Sequence, residues 1–148
     1  MIRLAVASDA GRVRECAEAA YRQYVHAMGR KPAAMVADFG AQIEAGHVHV
    51  ITDAAHEVQG FIVFYPKERH MFLENVAVHP DAGGQGLGRA LIEFCEAEAR
   101  RQGLAAVHLY TNEVMTQNLA MYPRMGYVEF GRRKEDGFNR IYFEKRLD

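Results

Sequence analysis

The sequence predicts an α+β fold, with a mixed, mostly antiparallel central sheet and helices on both of its faces. Three observations predict it. Strand-like and helix-like segments alternate through the middle of the chain, and both ends are strand-rich. The length of 148 residues suits one domain, residues 1–148, with a core that needs no staples. Strands at both ends argue against a doubly wound nucleotide fold.

Taken in order, Ile2 to Ala7 alternates and reads as the first strand. Ser8 or Asp9 caps a helix with the apolar stripe Val13, Cys16, Ala17, Ala20, Tyr21, Tyr24 and Val25, ended by Gly29. Pro32 opens a second predicted helix carrying Met35, Phe39 and Ile43, and Gly46 stops it. Tyr21, Tyr24, Met28, Met35 and Phe39 either line a substrate groove between the two helices or belong to the core. His47 to Thr52 and Glu57 to Tyr65 read as a hairpin, with Gly60 marking a bulge. Pro66 to His70 reads as a polar loop before the strand Leu73 to Val78. From Leu87 a helix turns Leu91, Phe94 and Cys95 inward, and Arg100, Arg101 and Gly103 suit its carboxyl end. Ala106 to Thr111 reads as the next strand. Thr116 caps a short helix through Leu119 and Tyr122. Tyr127 to Phe130 and Arg140 to Phe143 form a last hairpin around Glu135-Asp136-Gly137.

Composition narrows the function classes. A formal net charge of -1 gives no global pull toward nucleic acid or an anionic membrane. Cys16 and Cys95 fall on apolar helix faces and read as buried thiols, which suits a reducing, cytoplasmic setting. No apolar run reaches the length of a signal core or a membrane span. His47 and His49 would share a strand face, but no further Cys or His completes a ligand set, so no metal is expected.

The segment Leu73 to Leu91, LENVAVHPDAGGQGLGRAL, carries the strongest signal. A β-branched strand ends at Pro80, four glycines follow within six residues, and a helix opens at Leu87. Helix amino termini present unpaired N–H groups and a partial positive charge, so this turn is suited to phosphate. A Walker loop fails, because Gly88 is followed by Arg89 and Ala90. A dinucleotide fingerprint also fails, because counting from Gly84 or Gly86 its last glycine is missing.

Val78-His79-Pro80 and Gly86-Leu87-Gly88 resemble the central motif of the GNAT superfamily of N-acetyltransferases, V-x-P followed by Q/R-x-x-G-x-G/A. One position departs from it, with Gly83 standing where the family usually has Gln or Arg. Met121-Tyr122-Pro123-Arg124-Met125-Gly126-Tyr127 is similar to the family's Y-x-x-x-G-[FY] ending, and the remaining elements fall in the family's order. The resemblance implies the acyl-CoA N-acyltransferase fold, acetyl-CoA as cosubstrate, and transfer of acetyl to a primary amine. It assigns the cofactor main-chain contacts along Val76, Ala77 and Val78, with the pyrophosphate at Gly83, Gly84, Gln85, Gly86, Leu87, Gly88 and Arg89. In the family this strand splays from its neighbour to leave a slot for pantetheine. The family's cofactor-touching Asn falls at Met115 here, and Asn118, one turn before Tyr122, is the replacement. The resemblance also allows a homodimer through the carboxy-terminal strands.

Acetyl transfer to an amine sets three tasks. The amine must lose a proton, the oxyanion needs an N–H donor, and the departing thiolate needs a proton. Glu74, a carboxylate in an otherwise apolar strand, is the expected base, acting directly or through a water. At two-residue spacing it would share a face with Val76 and Val78. The alternative is an ion pair with Arg89 or a loop lysine. Tyr122 stands at the family's general-acid tyrosine, the alternative being a tyrosine packed at a helix end. Asp38 and Glu44 could attract a cationic amine. Two other readings stay open: an acyltransferase using another acyl-CoA, and a CoA-binding regulatory module with little or no catalysis. A small amine and a peptide both remain open as acceptor.

Overall fold

Apolar alternation and glycine punctuation resolve into a seven-stranded sheet in the computed structural model, which describes residues 1–148. The strands are β1 (Ile2–Leu4), β2 (Val48–Thr52), β3 (Val58–Lys67), β4 (His70–Val78), β5 (Ala106–Asn112), β6 (Val128–Glu135) and β7 (Phe138–Arg146). Their order across the sheet is β1-β2-β3-β4-β5-β7-β6. Every neighbouring pair is antiparallel except β4 and β5. That parallel step needs a crossover, which α4 (Leu87–Arg101) supplies.

The remaining helices are α1 (Ala10–Tyr21), α2 (Val25–Met28), α3 (Phe39–Glu44) and α5 (Thr116–Arg124). Apolar stripes place them on opposite faces. Val13, Cys16 and Ala17 of α1 and Phe39 and Ile43 of α3 pack on Val48, Val50, Phe61 and Val63. Leu91, Ile92, Cys95 and Ala99 of α4 pack on Ile62, Phe64, Met71, Leu73, Val107 and Leu109, with Ile141 and Phe143 of β7. Both cysteines are buried and free. No helix is long and apolar enough to cross a membrane.

Several boundaries differ from the sequence reading, each for a local reason. The first helix runs on through a 3-10 turn (Arg22–Tyr24) into α2 and stops at Gly29, whose φ is 70°. The second helix does not span Pro32 to Gly46. It breaks into a 3-10 turn at Ala33–Met35 and the short α3, because Asp38 leaves helical geometry and its carboxylate accepts the Ala41 N–H as a cap. The polar loop at Pro66 to His70 shrinks to Glu68 and Arg69, since Pro66 and Lys67 continue β3 opposite Met71 and His70. The last hairpin is longer than expected, with Asp136 and Gly137 both at positive φ in a two-residue turn.

Two bulges shape the sheet. In the β2–β3 pair Ile51 faces Gly60 and Thr52 faces Val58, leaving Gln59 extra beside the expected glycine. A Cβ on Gly60 would come within 2.8 Å of the Ala77 carbonyl oxygen, so only glycine permits this approach of β3 to β4. In the β3–β4 pair Val63 faces Asn75 and Phe64 faces Leu73, so Glu74 is the extra residue.

A buried ion pair pins α4 to the carboxy-terminal strands. Glu96 of α4 is 4% exposed; it accepts the Lys145 ammonium at 3.0 Å and the Tyr127 hydroxyl at 2.9 Å. Removing one partner leaves a buried charge uncompensated, which costs about 3 kcal/mol or more, whereas removing both charges costs less. Lys145→Met should therefore lower stability by about 3 kcal/mol in urea unfolding. Glu96→Met with Lys145→Met should be more stable than the single variant.

Candidate functional site

The pairing of β4 with β5 covers only His70–Leu73 against Ala106–Leu109. Beyond Leu73 the two strands part, and the bulge at Glu74 sits at the parting. The bulge also reverses the face on which later side chains emerge. Met71 and Leu73 pack with α4, whereas Asn75 and Ala77 face the α1 side. Glu74 consequently does not share a face with Val76 and Val78, as strict alternation predicts. Val76 and Val78 pack toward the α4 cluster, while the Glu74 carboxylate accepts the Tyr65 hydroxyl at 2.9 Å and the Gln42 side-chain amide. Nor does it meet Arg89, which lies 3.6 Å from Glu93 one helical turn on. Burial, and then Glu74 itself, push the Tyr65 hydroxyl up to about 12, so it stays a donor.

Two hollows open at the parting. The first is lined by Glu74, Asn75, Val76, Tyr110, Thr111, Asn118, Tyr122 and Arg140, among others. The second runs along Val76, Ala77 and Val78 to Pro80, Gly88, Gln117 and Met121. Tyr21, Val76 and Asn118 belong to both walls, so the two hollows are immediate neighbours. The His79 N–H donates to the Gln59 carbonyl across the β3–β4 pair. By antiparallel alternation, the main-chain groups of Val76 and Val78 then point away from β3, into the slot. One of these is already engaged: the Tyr21 hydroxyl lies 2.9 Å from the Val76 carbonyl oxygen and 2.7 Å from Asn75 Oδ1. Asn75 in turn donates to the Ala34 carbonyl at 2.9 Å, tying the loop after α2 to β4.

The glycine turn lies at the far end of the slot. After Pro80 a 3-10 turn (Pro80–Ala82) leads through Gly83 and Gly84 to Gly86, the residue before α4, at φ 73°. From Gly84 to Arg89 no backbone N–H finds an acceptor in the protein; the first paired one is that of Ala90, to Gly86. Six successive free donors at the positive end of a 15-residue helix are the groups from which an anion site can be built. At Gly83 a Cβ would lie 3.1 Å from the Pro80 carbonyl oxygen, so the turn is drawn in tightly there.

Tyr122 is 3% exposed, and its hydroxyl donates to nothing in the protein while its ring lines the first hollow. Burial raises its pKa well above that of a free tyrosine, so it stays protonated. The Asn118 amide lies 3.3 Å from Thr111 Oγ1, on the wall shared by both hollows. Of the groove candidates on the first helices, Tyr21 and Met28 line the first hollow and Tyr24 the second, while Met35 and Phe39 are core. Asp38 is the α3 cap and Glu44 is exposed; neither lines a hollow. Sequence reasoning missed Tyr65 and Arg140. Both sit on strands that pair with neighbours distant in the chain or across a bulge, and nothing in the linear order says which face lies toward the first hollow.

Comparisons with known proteins agree with this geometry. The family model for the acetyltransferase (GNAT) domain matches residues 44–129, more than half of the chain. The chain is 33% identical over 90 residues to mycothiol acetyltransferase of Jonesia denitrificans, covering 58% of this chain and 29% of that protein. It is 39% identical over 57 residues to the ribosomal protein bS18-alanine N-acetyltransferase of Escherichia coli, covering 38% of each. The matched stretches thus span well under two thirds of these curated relatives. Among solved structures, ribosomal-protein-alanine N-acetyltransferase from Brucella melitensis superposes with a TM-score of 0.75 at 19% identity, over 99% of both chains. The structure of yncA from Salmonella typhimurium with its cofactor acetyl-CoA superposes at 0.74 and 19% identity, over 100% of this chain and 94% of that one. With the family model covering the parted strands, the glycine turn and the tyrosine helix, the chain belongs to the GNAT acetyltransferase family.

Proposed function

We propose that this chain transfers the acetyl group of acetyl-CoA to the primary amine of a small-molecule or peptide acceptor. The observation that carries the reading is an adjacency. Glu74 and Tyr122 line one hollow at the strand parting, and a second hollow sharing three of its wall residues reaches Gly88, within the run of free N–H groups from Gly84 to Arg89. Relatives named as acetyltransferases, and a fold relative solved with acetyl-CoA, support the cosubstrate.

The residues fit that cosubstrate. The cradle from Gly84 to Arg89 suits the pyrophosphate, and its free donors serve without the side chain that Gly83 lacks. Main-chain groups of Val76 and Val78 suit the amides of the pantetheine arm, with Asn118 at the inner end. Bound acetyl-CoA supplies an acyl carbon activated as a thioester. The N–H groups on the free edge of β4 stabilise negative charge developing on the carbonyl oxygen. An amine near pKa 10.4 arrives mostly protonated, and Glu74 takes that proton directly or through a water. Tyr65 and Gln42 hold Glu74 in place, both as donors to its carboxylate. Tyr122, with an intact O–H and no protein acceptor, gives its proton to the departing thiolate. It regains one from the second proton that the nitrogen sheds on becoming an amide, so the hydroxyl ends as it began.

Release of free thiol from acetyl-CoA across a panel of amines tests the activity; binding without release from any amine would sink it. Tyr122→Phe should lower kcat about 100-fold while the KM for acetyl-CoA stays within about threefold. Glu74→Gln should lower kcat/KM for the acceptor by about 100-fold or more. Tyr65→Phe removes one of the two donors that hold the Glu74 carboxylate, so kcat/KM for the acceptor should fall, but by less than in Glu74→Gln, with Gln42 still in place.

A further inference from the structure

The acceptor hollow holds two charged side chains among those that line it, Glu74 and Arg140, and they have opposite signs. Arg140 reaches it from β7. Register places Asn112 of β5 beside Arg140, Tyr110 beside Tyr142, and Leu109 of β5 beside Leu73 of β4. Two strand spacings, about 10 Å, therefore separate the backbones that carry Glu74 and Arg140. The Tyr110 ring fills the floor between them.

Arg140 is held firmly, with its charge offset by two carboxylates through one terminal nitrogen and no hydrogen-bond partner on the guanidinium. Its guanidinium carbon sits 4.4 Å from the centre of the Tyr110 ring and 5.6 Å from that of Phe138. Its side chain is 11% exposed, and its polar contacts are the two ion pairs alone. The nearest carboxylates are Asp136 at 3.7 Å and Glu135 at 3.9 Å, both beyond hydrogen-bond reach. Asp136 is largely in solvent, and Glu135 already accepts the Tyr142 hydroxyl. A planar guanidinium with five donors, stacked on an aromatic floor, is the group best shaped to grip a carboxylate in two-point fashion.

We propose that the acceptor is a small amino-carboxylic acid, with its carboxylate on Arg140 and its amine directed to Glu74. This rests on the acetyl-transfer reading above and names the substrate class of that site. The size limit comes from the mouth. Arg30, in the segment after α2, donates to the Asp136 carbonyl and lies 3.8 Å over the Phe138 ring. The segment and the β6–β7 hairpin thus bridge the hollow beside Arg140. That closure favours a free amino acid over a polypeptide threading outward.

Matched acceptors test this in the unmodified protein. Thiol release from acetyl-CoA is measured with free amino acids, the corresponding amino acid amides, the decarboxylated amines, and short peptides. The carboxylate should raise kcat/KM about tenfold or more over the amide, mainly through KM, as a charge-assisted two-point contact implies. Arg140→Gln should collapse that preference ratio to near one, and Arg140→Lys should restore part of it. Equal turnover of acids and amides overturns the proposal, as does turnover of peptides with free amino acids ignored. If no acceptor releases thiol, acetyl transfer itself fails. Calorimetric titration of the same acids and amides then decides the Arg140 site alone, since the acids must still bind more tightly to the unmodified protein than to Arg140→Gln.

Discussion

The structure depends on one extra residue in a strand. Glu74 has no partner on β3, and the ladder between β4 and β5 ends one position before it. A regular β4 would keep its pairing with β5 and bury Asn75, Val76 and Val78 in a closed sheet. The bulge bends the strand away and leaves its backbone unpaired along the slot. It also turns Val76 and Val78 to the α4 face, while Glu74 keeps the face of Phe72, where Tyr65 and Gln42 hold its carboxylate.

The rest of the fold braces that opening. Helix α4 packs on both strands that part, and the Glu96–Lys145–Tyr127 cluster locks its outer half to the carboxy-terminal strands. Its amino end, which holds the free N–H groups, is therefore fixed relative to β4 and β7. On the opposite face, Asn75 ties the loop after α2 to β4 through Ala34, setting one wall of the acceptor hollow. The free N–H groups, Glu74 and the wall of the first hollow thus sit on three differently anchored elements.

Much of this was legible in the linear chain. Glycine spacing after a strand and before a helix singled out the turn with the free N–H groups, Glu74 stood out as a carboxylate in an apolar strand, and Tyr122 came from the family resemblance. The face of Glu74 was not legible. Period-two reasoning carries across a strand only while every residue is paired, and an extra residue leaves no compositional mark. Tyr65 and Arg140 were hidden for another reason. Their roles come from pairing between strands distant in sequence, and an aromatic alternation such as Phe138-Arg140-Tyr142 reads the same on a solvent face. The broken second helix followed from Asp38, whose cap position competes with helix continuation once the chain is packed.

The Tyr21 hydroxyl carries a consequence for the polarity of the slot. An exposed strand edge normally presents donors and acceptors in equal number, and so has no preference for either sign of charge. Here the Tyr21 hydroxyl, from α1, shares its one proton between Asn75 Oδ1 and the Val76 carbonyl. That carbonyl is thereby partly engaged, whereas the Val76 N–H is not. A hydroxyl more than fifty residues away in sequence thus tilts the local edge toward its donors.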